Sequence, residues 1–261
     1  MGFVMGIDAG STTTKAVLLN GNAILAYDVR LTGVNPEETG KDLIFSLCSN
    51  AGISLDDLDC VVATGYGRAS MSYANIKVSE ITCHAKGAYF IDEKTRIVID
   101  VGGQDSKVIA LGEGGDVLDF YMNDKCAAGT GRFLEVMCSR LEMSYEEFVN
   151  AALSSRNPVK ISSMCTVFAE SEVVSLIAKG VEREDIAAGL CRSIVDRLSS
   201  MVRKLEARGR ILMSGGVAKN RAIVKLLEEK LGERIKVPDE PQIVGALGAA
   251  LIAKNKSENC C

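Results

Sequence analysis

One short pattern occurs twice in this chain, and it constrains the fold more than any other feature. Residues 6–19 read GIDAGSTTTKAVLL, and residues 98–111 read VIDVGGQDSKVIAL. A shift of 92 residues lays Asp8 on Asp100, Gly10 on Gly102 and Lys15 on Lys107. Each copy has an apolar run, an aspartate, a turn containing glycine, a lysine and a second apolar run, which predicts a β-hairpin. The glycine permits a tight bend and lets backbone N–H groups approach a ligand. Hydroxyls and a lysine suit phosphate, and an aspartate suits Mg²⁺ held through water. Two such hairpins facing each other would clamp a nucleotide.

The chain of 261 residues is 47% hydrophobic and 25% charged, with a net charge of −4. That is enough chain to bury a large core, with the balance of an ordinary soluble protein. The duplication favours two domains, expected at 1–95 together with 242–261, and at 96–241. No basic run stands out, so the electrostatic footprint of a nucleic-acid binder is missing. The opening MGFVMGID has no positive n-region and meets Asp8 too early for a signal peptide. No stretch approaches the ~18 apolar residues of a membrane helix. The expectation is a cytoplasmic protein with neither nucleic acid nor membrane as a partner.

Nine cysteines are present, an odd number, with no Cys-x-x-Cys spacing. This argues against a disulfide framework, a zinc ribbon and a thioredoxin-like motif. Cys48, Cys60, Cys138 and Cys191 have apolar neighbours and read as small buried hydrophobes. Cys260 and Cys261 close a polar tail expected to fray, and no role is assigned to them. The lone His84, on a predicted helix over 79–91, reads as structural; the lack of other histidines disfavours a His-rich metal site or a Ser-His-Asp hydrolase.

Beyond the hairpins, strands are predicted at 23–31, 59–64, 117–122, 210–213 and 234–237. Helices are predicted at 35–50, 79–91, 130–141, 144–152, 166–179, 183–205, from the Ser214–Asn220 segment to Leu231, and at 242–254. The 183–205 helix is amphipathic through Ile186, Leu190, Ile194, Val195, Leu198 and Val202. The last helix is rich in Ala and Gly, which implies close packing on a neighbour. Hairpins followed by crossover helices, twice over, indicate an α/β protein with two related lobes.

Three further motifs carry chemistry. Ser214-Gly215-Gly216-Val217-Ala218-Lys219-Asn220 is a Gly-Gly turn between a strand and a helix. Asn123-Asp124-Lys125-Cys126-Ala127-Ala128-Gly129-Thr130-Gly131-Arg132 places a cysteine just before a Gly-rich helix start. Ser162-Ser163-Met164-Cys165-Thr166 repeats that arrangement. A thiolate at a helix start gains from the dipole and from free N–H groups. The residues alone fit either ligands for an electron-poor centre or two low-pKa cysteines without a metal.

The paired hairpins and the Gly-Gly turn together resemble the superfamily of actin, sugar kinases and heat-shock chaperone ATPases. The resemblance implies two ribonuclease-H-like lobes with a nucleotide cleft between them. More closely, Asp8–Lys15, Ala63–Arg68, Glu80–His84, Ile99–Lys107, Asn123–Arg132, Cys165–Glu172 and Gly215–Asn220 resemble the ATP-dependent activators of 2-hydroxyacyl-CoA dehydratases. That family includes the ATPase subunits of benzoyl-CoA reductase. The match runs from about residue 4 to 253.

This resemblance implies a homodimer in which Cys126 and Cys165 of each chain hold one shared [4Fe-4S] cluster, which wants four thiolates. By the same resemblance, Asp8 and Asp100 would organise Mg²⁺, and Ser11, Thr12, Thr13, Thr14 and Lys15, with Gly102 and Gly103, would hold ATP or ADP phosphates. Gln104, with Asp105, would position the attacking water. Gly215, Gly216, Asn220 and Gln242 would hold the adenosine. A ferredoxin or flavodoxin would supply the electron, and a (R)-2-hydroxyacyl-CoA dehydratase would receive it in an anaerobe. An aryl-CoA reductase as partner, a sugar kinase of the same superfamily and an ATP-dependent filament protein stay open as alternatives.

Overall fold

The computed structural model describes residues 2–162 and 165–258. Ser163 and Met164 of the second cysteine motif, and the Cys260-Cys261 pair, lie outside the described residues. In chain order the first elements are β1 (Phe3–Ala9), β2 (Thr13–Asn20), β3 (Ala23–Leu31), α1 (Pro36–Ala51), β4 (Leu58–Thr64), β5 (Ile76–Lys77) and α2 (Glu80–Ile91). There follow β6 (Thr95–Val101), β7 (Ser106–Leu111), β8 (Val117–Asn123), α3 (Gly131–Arg140), α4 (Tyr145–Ser154), α5 (Thr166–Ala178) and α6 (Arg183–Lys204). The chain closes with β9 (Arg210–Ser214), α7 (Arg221–Leu231), β10 (Ile235–Lys236) and α8 (Val244–Glu258).

The strands form two five-stranded sheets, ordered β3-β2-β1-β4-β5 and β8-β7-β6-β9-β10. The second order is the first with every number raised by five, so the duplication seen in two hairpins extends to both sheets. In the first sheet β1 pairs antiparallel with β2 and parallel with β4, which sets Asp8 opposite both Lys15 and Thr64. The chain divides into two compact units: Met1–Val98, Ile109–Phe120 and Pro238–Cys261 form one, Ile99–Val108 and Tyr121–Val237 the other.

Strand β1 is apolar from Phe3 to Ile7, ahead of Asp8, because helices cover both faces of its sheet. Val4 joins Val17, Leu19 and Val62 in the cluster with α8, whereas Met5 and Ile7 join Ala16 and Leu18 in the cluster with Leu43 and Leu47 of α1. Each fully buried Val, Leu, Ile or Met among them contributes roughly 1.5–3 kcal/mol relative to exposure. Helix α8 packs as its Ala/Gly content implies. A β-carbon on Gly248 would lie 1.7 Å from the Cys83 carbonyl oxygen, and one on Gly6 would lie 2.1 Å from that of Ala246. Only glycine admits backbones so near to each other.

Local chemistry sets the element ends. Asn35 accepts from the Glu38 amide and Pro36 opens α1, while Gly52 closes it in the left-handed region at φ 69°. Ser144 and Glu147 form a reciprocal capping box at the start of α4. All six apolar positions read for the long amphipathic helix are buried in α6. The chain reaches α8 through a short 3₁₀ turn, Pro241–Ile243, so the α-helix starts two residues later than the sequence pattern suggests. Strand β5 and the 3₁₀ turns were not legible, being only two to five residues long. No helix among the described residues is long and apolar enough to cross a membrane.

Candidate functional site

The first hairpin turns at Gly10, whose amide donates to the Thr13 carbonyl at 3.1 Å. Ser11 is exposed at the tip, and Thr12 and Thr13 are half-buried. Thr14 is fully buried; its hydroxyl bonds that of Thr32 at 3.0 Å, and Thr32 donates onward to the Gly10 carbonyl at 2.8 Å. Thr14 therefore braces the turn from beneath. Lys15 Nζ stands 3.2 Å from Asp8 Oδ2, so the two charges sit side by side at the strand ends.

The second hairpin repeats this plan. The Gly102 amide donates to the Asp105 carbonyl at 3.0 Å, the counterpart of Gly10 and Thr13. Gly103 is half-buried and Gln104 is exposed at the tip. Lys107 is 2% exposed and bonds two carboxylates, Asp100 at 3.0 Å and Asp105 at 2.9 Å. Asp100 also accepts from the Ser214 hydroxyl at 2.8 Å. The aspartate named for the metal and the serine that opens the Gly-Gly motif are thus direct neighbours.

Gly215 has φ 83°, and a β-carbon there would meet the Val101 carbonyl oxygen at 2.3 Å and Asp100 Oδ1 at 3.0 Å. A left-handed residue in so tight a place has to be glycine. Gly216 begins the 3₁₀ turn to Lys219, and buried Asn220 caps α7 by accepting from the Ala222 and Ile223 amides at 3.1 Å each. Its Nδ2 is buried without a hydrogen-bond partner among the described residues. A buried donor of that kind suits an acceptor on a ligand. Gln242 lies in the other compact unit, on the 3₁₀ turn before α8.

The same local construction occurs after β4, where the sequence shows little likeness. Thr64 ends the strand, Gly65 follows with φ 86°, and a 3₁₀ turn runs Tyr66–Ser70. A β-carbon on Gly65 would meet Asp8 Oδ1 at 2.4 Å and the Ala9 carbonyl oxygen at 2.6 Å. Gly65 stands to Asp8 as Gly215 stands to Asp100. Only the glycine and a β-hydroxyl are shared, too little to detect as a repeat.

The described cysteines divide by accessibility. Cys48, Cys60, Cys83, Cys138 and Cys191 are buried, as read for four of them, whereas Cys126 is half-buried and Cys165 exposed. Burial pushes the thiols of Cys83 and Cys191 up to about 12 and that of Cys138 up to about 11. These three are protonated and inert at neutral pH. Cys165 is the N-cap of α5. Cys126 stands off its helix: α3 is capped by Thr130 and begins at Gly131. Its loop is held instead by Asn123, whose side-chain amide donates to the Cys126 carbonyl at 2.8 Å.

The first amides of α3 have another use. Gly131 N–H donates to the Gly102 carbonyl at 2.9 Å, and Arg132 N–H donates to the Gly103 carbonyl at 2.8 Å. The amides expected to lie free near Cys126 are spent on the second hairpin turn. No three His, Cys, Asp or Glu side chains converge on a metal site among the described residues.

Residues 5–253 match the BadF/BadG/BcrA/BcrD ATPase family. A 2-hydroxyisocaproyl-CoA dehydratase activator from Clostridioides difficile is 45% identical over 258 residues, 98% of this chain and 96% of that protein. A solved structure of the activator of the 2-hydroxyisocaproyl-CoA dehydratase from Clostridium difficile, with bound ADPNP, has a TM-score of 0.92 at 43% identity, covering 99% of this chain and 96% of the other. A ROK family glucokinase from Streptomyces griseus shares the fold alone, with a TM-score of 0.58 at 14% identity over 97% of this chain and 100% of the other. The actin and sugar-kinase type of fold expected from the paired hairpins is therefore the observed one.

Proposed function

The chain belongs to the BadF/BadG/BcrA/BcrD ATPase family, and on that premise we propose that it activates a (R)-2-hydroxyacyl-CoA dehydratase by ATP-dependent one-electron donation. In this reading a homodimer holds one [4Fe-4S] cluster, with Cys126 and Cys165 supplying two thiolates from each chain. Accessibility of the cysteines carries the reading. The two in the Asn123–Arg132 and Cys165–Glu172 segments reach the surface, and the five other described ones are buried. Thiolate is the donor type that such clusters take, and four are needed, so two chains of this kind complete a set. When bound, the cluster supplies a low-potential one-electron store.

The chain's own residues handle the nucleotide. Backbone and hydroxyl groups of Ser11, Thr12 and Thr13 donate to phosphate oxygens, with Thr14 bracing the turn and Lys15 balancing charge. Gly102 and Gly103 offer backbone to the second phosphate-binding turn. Asp8 and Asp100 would hold Mg²⁺ through its water shell. Exposed Gln104 orients the attacking water, and Asp105 keeps Lys107 in place beside Asp100. Gly215, Gly216 and Asn220, with Gln242, receive the adenosine; the partnerless Asn220 Nδ2 supplies a donor. A ferredoxin or flavodoxin is the electron source, and the named relative supports a dehydratase as the acceptor. The setting is an oxygen-free cytoplasm.

Anaerobic purification with iron, sulfide and mass determination tests this reading. About four irons per dimer are expected, lost in Cys126→Ala and in Cys165→Ala and kept in Cys138→Ser. A monomer without sulfide, or a normal cluster in both surface variants, overturns it.

A further inference from the structure

Three sets of groups close around the Asp8 carboxylate. Gly65, at the end of β4, brings backbone against Oδ1, and Lys15 from β2 stands 3.2 Å from Oδ2. The third comes from α2 and α8. A β-carbon on Gly245 would lie 3.1 Å from Asp8 Oδ2 and 2.8 Å from His84 Nε2. The imidazole nitrogen and the carboxylate oxygen therefore gather about one point, which glycine alone leaves free. His84 is 5% exposed and is the only histidine in the chain.

The repeated architecture gives this neighbour a purpose. Asp100 is steadied by a hydroxyl at the end of the adjacent strand: Ser214 donates to its Oδ1 at 2.8 Å. The counterpart, Thr64, sends its hydroxyl elsewhere, donating to the Val78 carbonyl at 2.9 Å. The device that orients the second aspartate is thus turned away from the first, where an imidazole nitrogen and Asp8 Oδ2 both border the place a Gly245 side chain would fill. We infer that His84 is a positioning residue whose Nε2 orients the Asp8 carboxylate, doing for the first hairpin what Ser214 does for the second. This rests on the proposed function, in which Asp8 faces a hydrated Mg²⁺ beside the phosphates. A carboxylate free to rotate would present that water shell with the wrong lone pairs, so the loss should fall on turnover and Mg²⁺ response more than on nucleotide affinity.

The test uses the anaerobically purified dimer in three variants. His84→Met keeps the bulk and removes the donor, His84→Gln restores an N–H at similar reach, and Gly245→Ala wedges a methyl group between the two side chains. His84→Met is expected to lower kcat for ATP hydrolysis roughly ten- to hundredfold, the range for a hydrogen bond to a charged group, with a smaller change in KM. In calorimetry, Mg²⁺ should tighten ADP binding less in His84→Met and Gly245→Ala than in the parent, and His84→Gln should recover most of both properties. Parental kcat and Mg²⁺ dependence in folded His84→Met or in Gly245→Ala would overturn the inference. Equal losses in His84→Met and His84→Gln, tracking a lower melting temperature, would overturn it too, since packing alone would then explain them. A parent protein that neither hydrolyses ATP nor binds ADP refutes the proposed function itself and is recognised before any variant is compared.

Discussion

The two hairpins share a covalent plan and hold their charges differently. In the first, Lys15 keeps 13% of its side chain exposed and meets one carboxylate, whereas in the second Lys107 keeps 2% and meets two. Asp100 takes a hydroxyl from the neighbouring strand, and Thr64 at the corresponding place does not serve Asp8. The second hairpin is a buried polar network and the first a partly wet ion pair. Repetition of a motif therefore fixes where an aspartate stands, and the surrounding elements decide how firmly it is held.

The largest expected effect separates the two lysines. Removing Lys107 strands two carboxylates, one of them deeply buried, and Lys107→Met should cost about 3–5 kcal/mol. Lys15→Met, at a more solvated pair, should cost about half as much or less. Urea denaturation of both variants measures this, and equal midpoints would erase the distinction. A smaller effect is expected at the strand ends. Ser214→Ala removes a hydrogen bond to a charged carboxylate and should reduce ATP turnover by about 1.5–3 kcal/mol in activation free energy. Thr64→Val removes a bond to a carbonyl and should lower stability by about 1 kcal/mol with little change in turnover. Comparable kinetic losses in both would show that Thr64 and Ser214 act alike after all.

The smallest expected effect near neutral pH concerns the buried thiols. Burial holds them above the ordinary thiol range, Cys138 at about 11 and Cys83 and Cys191 at about 12. Raised values of an acid mean that its contribution is fully present below pH 9 and is lost as pH rises from 9 toward 12, because only the unfolded chain ionises there. Stability should be flat from pH 7 to 8 and fall above 9, with a shallower fall in Cys191→Ala. Alkylation of the native protein, treated beforehand with a chelator, at pH 8 should meanwhile mark Cys126 and Cys165 and spare the other described cysteines.

Much of this was legible because the informative signals are local. A hairpin is a short-range object, and two copies of Asp-x-Gly with a trailing lysine show themselves in a linear scan. Apolar neighbours likewise sorted Cys48, Cys60, Cys138 and Cys191 from Cys126 and Cys165. Illegible features depend on which elements meet. The likeness of Thr64-Gly65 to Ser214-Gly215 is carried by backbone conformation, with φ of 86° and 83°, and by almost no residue identity. His84 read as a structural histidine because nothing in its own helix announces Asp8, which lies on β1. Cys126 read as a helix-start cysteine because glycines surround it, yet the cap falls at Thr130 and the helix amides are used by another segment.

That use has a mechanical result. The opening peptides of α3 are spliced to the carbonyls of Gly102 and Gly103, so the hairpin tip and the helix head form one joint. Helix α3 has 10 residues and spans about 15 Å. A displacement of ~1 Å at that joint, with the far end pinned, swings its axis by roughly 4°. Any rearrangement of the tip is thereby converted into a tilt of the rod that follows the Cys126 loop.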